Sequence, residues 1–145
     1  MKIKCIKENN FICYINKYYY NFDEKTLNNF LMNLIKRIKK KYNIEVYGNY
    51  DIKCYIDKSY GIILDIKKEI DEFTKYTRKA NLNIEFIDDK FLFEIDDYFL
   101  CKNYKKIIKY NDKYYIELND YTKIMEYYDR IIYGDEKLLI KSDNW

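Results

Sequence analysis

The strongest constraint on the fold is the hydrophobic period, which changes twice within the first 66 residues. Apolar residues first alternate with polar ones, then recur at helical spacing, and then alternate again. The helical stretch begins at a cap formed by Asn21 or Asp23 and runs to about Tyr42. Its apolar face comprises Leu27, Phe30, Leu31, Leu34, Ile35, Ile38 and Tyr42. Because an amphipathic helix must cover an apolar surface, residues 1–66 are predicted to form a hairpin, a helix and a second hairpin.

The first hairpin carries two of the four cysteines. We expect a three-residue turn at Glu8–Asn10, which places Ile3 opposite Ile15 and Cys5 opposite Cys13, with both thiols on the buried face. The cysteines at positions 5, 13, 54 and 101 form no C-x-x-C pair. They are therefore interpreted as core thiols rather than as zinc ligands or disulfide partners.

The rest of the chain predicts a second half of the same kind. Residues 67–83 are highly charged and are interpreted as a seam, partly helical, between an N-terminal half (1–66) and a C-terminal half (84–145). Strands are expected around residues 84–86, 91–95, 106–110 and 114–118, the last two joined by a turn at residues 111–113. A second helix, capped by Asn119 or Asp120, is expected to end at Gly134 and to be followed by an edge strand at Leu138–Ile140. Its predicted inner face comprises Tyr121, Ile124, Met125, Tyr128, Ile131 and Ile132.

These patterns together predict the fold class. It is α+β, with consecutive antiparallel β-hairpins and one amphipathic helix packed on the sheet in each half.

The complete absence of histidine argues against most kinds of catalysis. Histidine is the usual base for serine and cysteine nucleophiles and the commonest metal ligand. With glycine only at positions 48, 61 and 134, no phosphate-cradling loop can form. The acidic groups Asp88–Asp89 and Glu94–Asp97 have no calcium-loop spacing and are interpreted as turn residues. We therefore expect no enzyme, no catalytic residue, no cofactor and no metal, although a minimal enzyme relying on Asp, Glu, Lys or Tyr remains open.

Binding is the better prediction, and two classes of partner are considered. The nineteen tyrosines provide contact material for a protein partner, with candidate residues Tyr110, Tyr114, Tyr115 and Tyr127. The alternative is a nucleic-acid-associated or phage-type inhibitory protein that uses the basic end of the first helix, at Lys36, Arg37, Lys39, Lys40 and Lys41. The same lysines also suit a solvated helix end, where cations complement the helix dipole. A lysine-, asparagine-, isoleucine- and tyrosine-rich chain without proline is typical of AT-rich coding, so these counts are weak evidence of function.

The sequence also bears on location. The alternating charges of Met1–Lys7 do not form a secretory signal, and no apolar run approaches the ~18–20 residues of a membrane helix. We expect a cytoplasmic protein without membrane association, and the sequence leaves its oligomeric state open.

Several short segments resemble the MecA adaptors of Firmicutes. In chain order they are the block Asp23–Lys67 with Ile44–Gly48 and Tyr60–Ile66, the segment Phe91–Asp97 (similar to "y-x-F-x-D"), the strand pair Ile108–Leu118, and Ile131–Glu136 (similar to "EYG"). The chain departs from the family in its shorter linker, shorter C-terminal half and mildly basic charge. The resemblance implies an adaptor whose N-terminal half holds a substrate protein and whose C-terminal half holds a Clp-type AAA+ unfoldase. No individual partner-contacting residue is carried over.

Overall fold

The chain folds into two sheets with helices. The structure, a computed structural model, describes residues 2–16, 24–96, 107–117 and 128–142. Within those residues it contains nine strands and three helices, which confirms the predicted α+β class. Two compact units are present: residues 1–54 with 61–87, and residues 55–60 with 88–145. None of the described helices has the length and apolar character needed to cross a membrane.

The first unit is built on a five-stranded sheet with strand order β1-β2-β4-β3-β5. In chain order its elements are β1 (Lys2–Lys7), β2 (Asn10–Asn16), α1 (Glu24–Tyr42), β3 (Gly48–Asp57), β4 (Gly61–Glu69), α2 (Glu72–Thr77) and β5 (Ala80–Asp88). β2 pairs antiparallel with both β1 and β4. β3 and β4 are joined by a three-residue turn.

α1 buries the face that the sequence predicted. Leu31, Leu34, Ile35 and Ile38 are each only 1% exposed, and the ring of Tyr42 packs against Phe11 of β2 at 5.5 Å between centroids. The sheet contributes a matching apolar face from Phe11, Cys13, Ile15, Ile52, Cys54, Ile62, Leu64 and Ile66. Helices in proteins gain most of their stability from such packing of an amphipathic face. The side chain of Leu27 lies outside the described residues.

The loop after α1 is held by side chains from the sheet. The Tyr50 hydroxyl donates to the carbonyl of Val46 at 2.6 Å, and the Lys68 ammonium donates to the carbonyl of Glu45. Lys68 is buried beneath this loop, with its ammonium 5.6 Å from the centre of the Tyr50 ring. Burial lowers the pKa of Lys68. The contacts satisfy a buried cation and fix the start of β3.

The predicted register of the first hairpin is wrong. The turn contains two residues, with Asn9 at φ +63°, so that Ile3 faces Cys13 and Cys5 faces Phe11. The shift is two positions, and side chains therefore keep their predicted faces. Cys13 is buried as predicted, but the prediction of a core thiol is wrong for Cys5, which is exposed because β1 forms the edge of the sheet.

The charged stretch 67–83 contains regular structure. It includes the end of β4, all of α2 and the beginning of β5, and α2 starts with a capping box between Asp71 and Thr74. β5 does not form a hairpin with β4 but lies beside β3. Asn81 bonds to Asn49 and Asn83 to Asp51, so both strands advance in the same direction and run parallel. The predicted run of consecutive antiparallel hairpins is interrupted here by a helical crossover.

The second unit contains a four-stranded antiparallel sheet with strand order β7-β8-β6-β9. Its elements are β6 (Leu92–Ile95), β7 (Ile107–Tyr110), β8 (Lys113–Glu117), β9 (Arg130–Ile132) and α3 (Glu136–Ser142). Asn111 and Asp112 both have positive φ and make a two-residue turn, one residue shorter than predicted. The 55–60 tip of the β3–β4 hairpin also belongs to this unit, where Asp57 accepts the N–H of Phe91 at 2.8 Å.

The C-terminal predictions need correction. Ile131 and Ile132 do not lie on a helix but in β9, opposite Phe93 and Leu92, because β-branched residues suit a strand that covers the open edge of β6. The remainder of the predicted helix with its cap, residues 119–127, lies outside the described residues. Tyr128, also predicted for that helix, packs its ring edge-on against Phe93.

The predicted edge strand Leu138–Ile140 is also wrong. It lies in α3, which begins with the acidic Glu136 as suits a helix N-terminus. Gly134 does adopt a left-handed conformation (φ +63°), but it precedes this helix. A Cβ atom there would lie 3.2 Å from the Tyr55 ring, so glycine is required on two counts.

Truncating the core face of α1 tests this packing. We expect Leu34→Ala to lower the free energy of unfolding by about 2–5 kcal/mol, because it leaves a cavity between helix and sheet. Asn33→Ala, at an exposed position one residue away, should change it by less than about 0.5 kcal/mol. Denaturant titration followed by circular dichroism measures both, and equal effects would contradict the assigned face.

Candidate binding cavity

The predicted contact tyrosines of the second half occupy different environments. Tyr110, at the end of β7, is half-buried, as is Tyr114 in β8, whereas Tyr115 is buried. Successive strand residues point to opposite faces, which separates Tyr114 from Tyr115. Tyr110 and Tyr115 line the same cavity, and Tyr127 lies outside the described residues.

The cavity in the second unit has a volume of about 260 Å³. Its lining comes from β6, the β7–β8 hairpin, β9 and α3, namely Glu94, Tyr110, Asn111, Lys113, Tyr115, Arg130, Glu136, Leu139 and Ile140. The polar members meet around Glu94, and the apolar members belong to the hairpin and α3. The cavity therefore combines an ionic floor with a partly apolar rim.

A buried carboxylate forms the centre of the floor. Glu94 is 3% exposed, and in the sheet register it lies between Tyr115 of β8 and Arg130 of β9. Lys113 Nζ lies 2.9 Å from Oε1, while the Tyr115 hydroxyl and Arg130 Nη2 each lie 3.1 Å from Oε2. Arg130 Nη1 also reaches Glu136 of α3 at 2.8 Å, which ties the helix to the sheet.

These contacts decide the charge state of Glu94. Burial alone would raise the pKa of the carboxyl, but hydrogen bonds from Lys113, Arg130 and Tyr115 outweigh it and hold the pKa below its ordinary value. The hydrogen bond to Glu94 in turn raises the pKa of Lys113. At neutral pH the floor thus contains an ionised carboxylate between two cations.

The rim of the cavity continues onto an exposed apolar surface. α3 buries Ile140 but leaves Leu138 and Leu139 64% and 66% exposed. Tyr110 packs on the cluster that contains Ile140. Large exposed apolar side chains next to a cavity are typical of a surface that contacts a partner.

The predicted nucleic-acid residues lie in the first unit. Lys36, Arg37, Lys39, Lys40 and Lys41 are all exposed on α1. Arg37, Lys40 and Lys41 line a groove of about 440 Å³ together with Ile3 of β1.

The two units differ in net charge. The first unit contains sixteen basic and ten acidic residues, a net charge of +6, and the second contains eleven basic and fourteen acidic residues, a net charge of −3. The small net charge of the whole chain therefore hides a basic unit and an acidic one.

The cysteines offer no reactive site at the buried positions. Burial raises the pKa of Cys13 and of Cys54 to about 12, so both thiols stay protonated and unreactive at neutral pH. Cys5 is exposed, and Cys101 lies outside the described residues. In the described part of the chain, no three histidine, cysteine or acidic residues come together as a metal site.

Sequence reasoning missed the ionic floor, although one feature indicates it. Glu94 interrupts the apolar run Phe91–Ile95, and a charged residue in a buried strand requires partners. The sequence pattern assigns its neighbours Asp89 and Asp96 to turns, and in the structure both contact basic side chains. Asp89 accepts the N–H of Gly134 at 2.8 Å and pairs with Lys137, while Asp96 lies 3.8 Å from Lys113.

Comparison with known proteins gave no match to a family model, to a curated protein or to a solved structure.

Neutralising Glu94 tests the ionic floor. We expect Glu94→Gln to destabilise the protein by about 1–2 kcal/mol near neutral pH, because Lys113 and Arg130, whose side chains are 44% and 54% exposed, lose their shared counter-charge. The folded-state pKa lies below the ordinary value of about 4.3, so the stabilisation is present above that pH and is lost as the pH falls through the lowered pKa. The difference in unfolding free energy between wild type and variant should shrink accordingly in denaturant titrations at decreasing pH. Asp96→Asn, which alters a distant and exposed partner of the same Lys113, is the control.

Proposed function

We propose that this chain is a non-enzymatic protein-binding protein that docks a partner on the cavity and α3 surface of its second unit. The observation that carries the proposal is the cavity around Glu94, whose rim joins the exposed leucines of α3. Interfaces bury aromatic and aliphatic anchors in such pockets and surround them with polar groups.

The lining indicates the chemistry of the partner. Two acidic and two basic side chains in the lining pair with one another, so the floor needs no charged ligand to balance it. Tyr110, Leu139 and Ile140 offer apolar contact above it. The occupant is therefore an apolar or aromatic side chain on a segment of the partner protein, with its neighbours lying across α3.

The state of Glu94 supports a binding role over acid–base catalysis. A general acid or base needs a pKa near the working pH and an oxygen that can reach the substrate. The pKa of Glu94 is lowered instead, and both of its oxygens already accept hydrogen bonds. The carboxylate acts as a structural acceptor that holds Lys113 and Arg130 in place.

The adaptor role is the more specific form of the proposal. In it, the chain links a substrate protein to a Clp-type AAA+ unfoldase, with the second unit contacting the unfoldase. Its support is the sequence resemblance of short segments, to which the cavity adds a candidate contact surface on the expected half of the chain.

Paired variants of equal exposure test the docking surface. Tagged wild-type protein is used to capture a partner from nuclease-treated lysate of the native host. We expect the Leu139→Glu variant to recover at least tenfold less of that partner, because a charge replaces an apolar side chain at the rim of the cavity. Phe73→Glu alters a side chain of similar exposure, 63%, in the first unit and should leave capture unchanged. Quantitative mass spectrometry measures recovery. Equal recovery with all three baits would contradict the cavity as the docking site, and recovery of a Clp-type ATPase lost only with Leu139→Glu would support the adaptor role.

Nucleic-acid binding is retained as a second candidate because of the basic groove. Arg37, Lys40 and Lys41 project from successive turns of α1, in the unit with a net charge of +6. Lys41 also lies 5.4 Å from the centre of the half-buried Tyr42 ring. A row of cations that can contact phosphates, beside an aromatic ring that can stack on a base, suits the binding of single-stranded nucleic acid.

Salt dependence separates this candidate from docking. Changing Arg37, Lys40 and Lys41 to Gln should reduce the slope of log K against log salt by about 2 for a single-stranded oligonucleotide, since each released counterion contributes about 0.7. Changing the exposed Lys53, Lys67 and Lys75 to Gln lowers the net charge by the same amount. This variant should keep most of the slope of log K against log salt. Fluorescence anisotropy at several salt concentrations measures both. Equal slopes would show that binding follows net charge rather than the groove.

A further inference from the structure

The two edges of the first sheet differ in how they meet solvent. β1 carries Lys2, Lys4 and Lys7, and lysines on an edge strand discourage pairing with another chain. β5, at the opposite edge, contains neither lysine nor proline over Ala80–Asp88. Within the described residues β5 has only β3 as a neighbour, so one of its sides lacks a strand.

Hydrogen bonds at the two ends of β5 show which of its backbone groups face β3. The N–H of Gly48 donates to the carbonyl of Lys79, and the N–H of Asp89 donates to the carbonyl of Ile56. Successive residues in a strand direct these groups to alternate sides, so odd-numbered residues of β5 face β3. The even-numbered Leu82, Ile84 and Phe86 direct their N–H and C=O groups away from β3.

The same three residues form an apolar row. Their side chains share one face of the strand, and Phe86 is 58% exposed. Asn81, Asn83 and Glu85 alternate with them on the other face and are exposed. An edge that combines outward backbone groups with an apolar row suits the addition of a further strand.

We propose that β5 pairs antiparallel with β5 of a second copy of this chain, about a two-fold axis at Ile84. In this register the even-numbered residues face one another, so their outward N–H and C=O groups form the ladder. Leu82 faces Phe86, which extends the apolar row across both copies, and Glu85 faces Asn83. Asp88 faces Ala80, and no two like charges lie opposite each other. This self-complementarity favours a second copy over an unrelated strand.

Sedimentation measurements over a range of concentrations test the pairing. The wild type should show a reversible monomer–dimer equilibrium, and Phe86→Lys should raise its dissociation constant roughly tenfold or more, because a charge replaces apolar contact across the axis. Phe73→Lys changes a side chain of similar exposure, 63%, on α2 and should leave the equilibrium unchanged. A wild type that stays monomeric, or a Phe86→Lys variant that dimerises as well, overturns the proposal.

Crosslinking tests the register without weakening the fold. In a background with Cys5→Ser and Cys101→Ser, Ile84→Cys places a thiol opposite itself, within disulfide reach across an antiparallel pair. Mild oxidation should yield a disulfide-linked dimer on non-reducing gels. Asn81→Cys, which faces Ile87, is the matched control and should yield much less. Equal crosslinking of both variants, or none of Ile84→Cys, overturns this register.

Discussion

The buried charge of Glu94 is the constraint on which the second unit depends. A carboxylate in the middle of a sheet is tolerated only with compensating donors, and neighbouring strands supply them: Lys113 and Tyr115 from β8 and Arg130 from β9. Arg130 then binds Glu136 and so fixes α3. One carboxylate and its partners thus link three strands and a helix, and the space between them is the cavity proposed to receive a partner.

The units differ in the surface that each offers. The second has an acidic net charge, a neutralised ionic floor and exposed leucines. The first has a basic net charge, an exposed groove beside α1 and, among the described residues, one sheet edge without lysine on its strand. Hydrophobic contact governs docking at the cavity and at β5, whereas electrostatics governs any binding at the groove. Binding at the groove is therefore expected to weaken with added salt, whereas the contacts proposed at the cavity and at β5 are not.

Local pattern was sufficient for some elements and failed for others. The helical spacing of Leu31, Leu34, Ile35 and Ile38 predicted the buried face of α1, since burial itself produces that spacing. Alternation found most strands and the hairpin partners β1–β2, β3–β4 and β7–β8, but it did not predict that β5 runs parallel to β3 beyond a helical crossover. Ile131 and Ile132 fit a helical stripe in sequence, yet the edge of β6 recruits them as a strand. Leu138–Ile140 shows the opposite error, since it is predicted as a strand but lies in a helix. Three consecutive apolar residues fit a strand and a helix equally well.

The sequence by itself determined the α+β class, the core of α1 and the absence of histidine chemistry. These follow from residue identity and from spacing within one element. Tertiary structure decided which non-consecutive strands are neighbours, that Cys5 is exposed while Cys13 is buried, and that Glu94 meets Lys113 and Arg130. Such features arise between residues far apart in the chain, where packing and the need to neutralise a buried charge outweigh local preference.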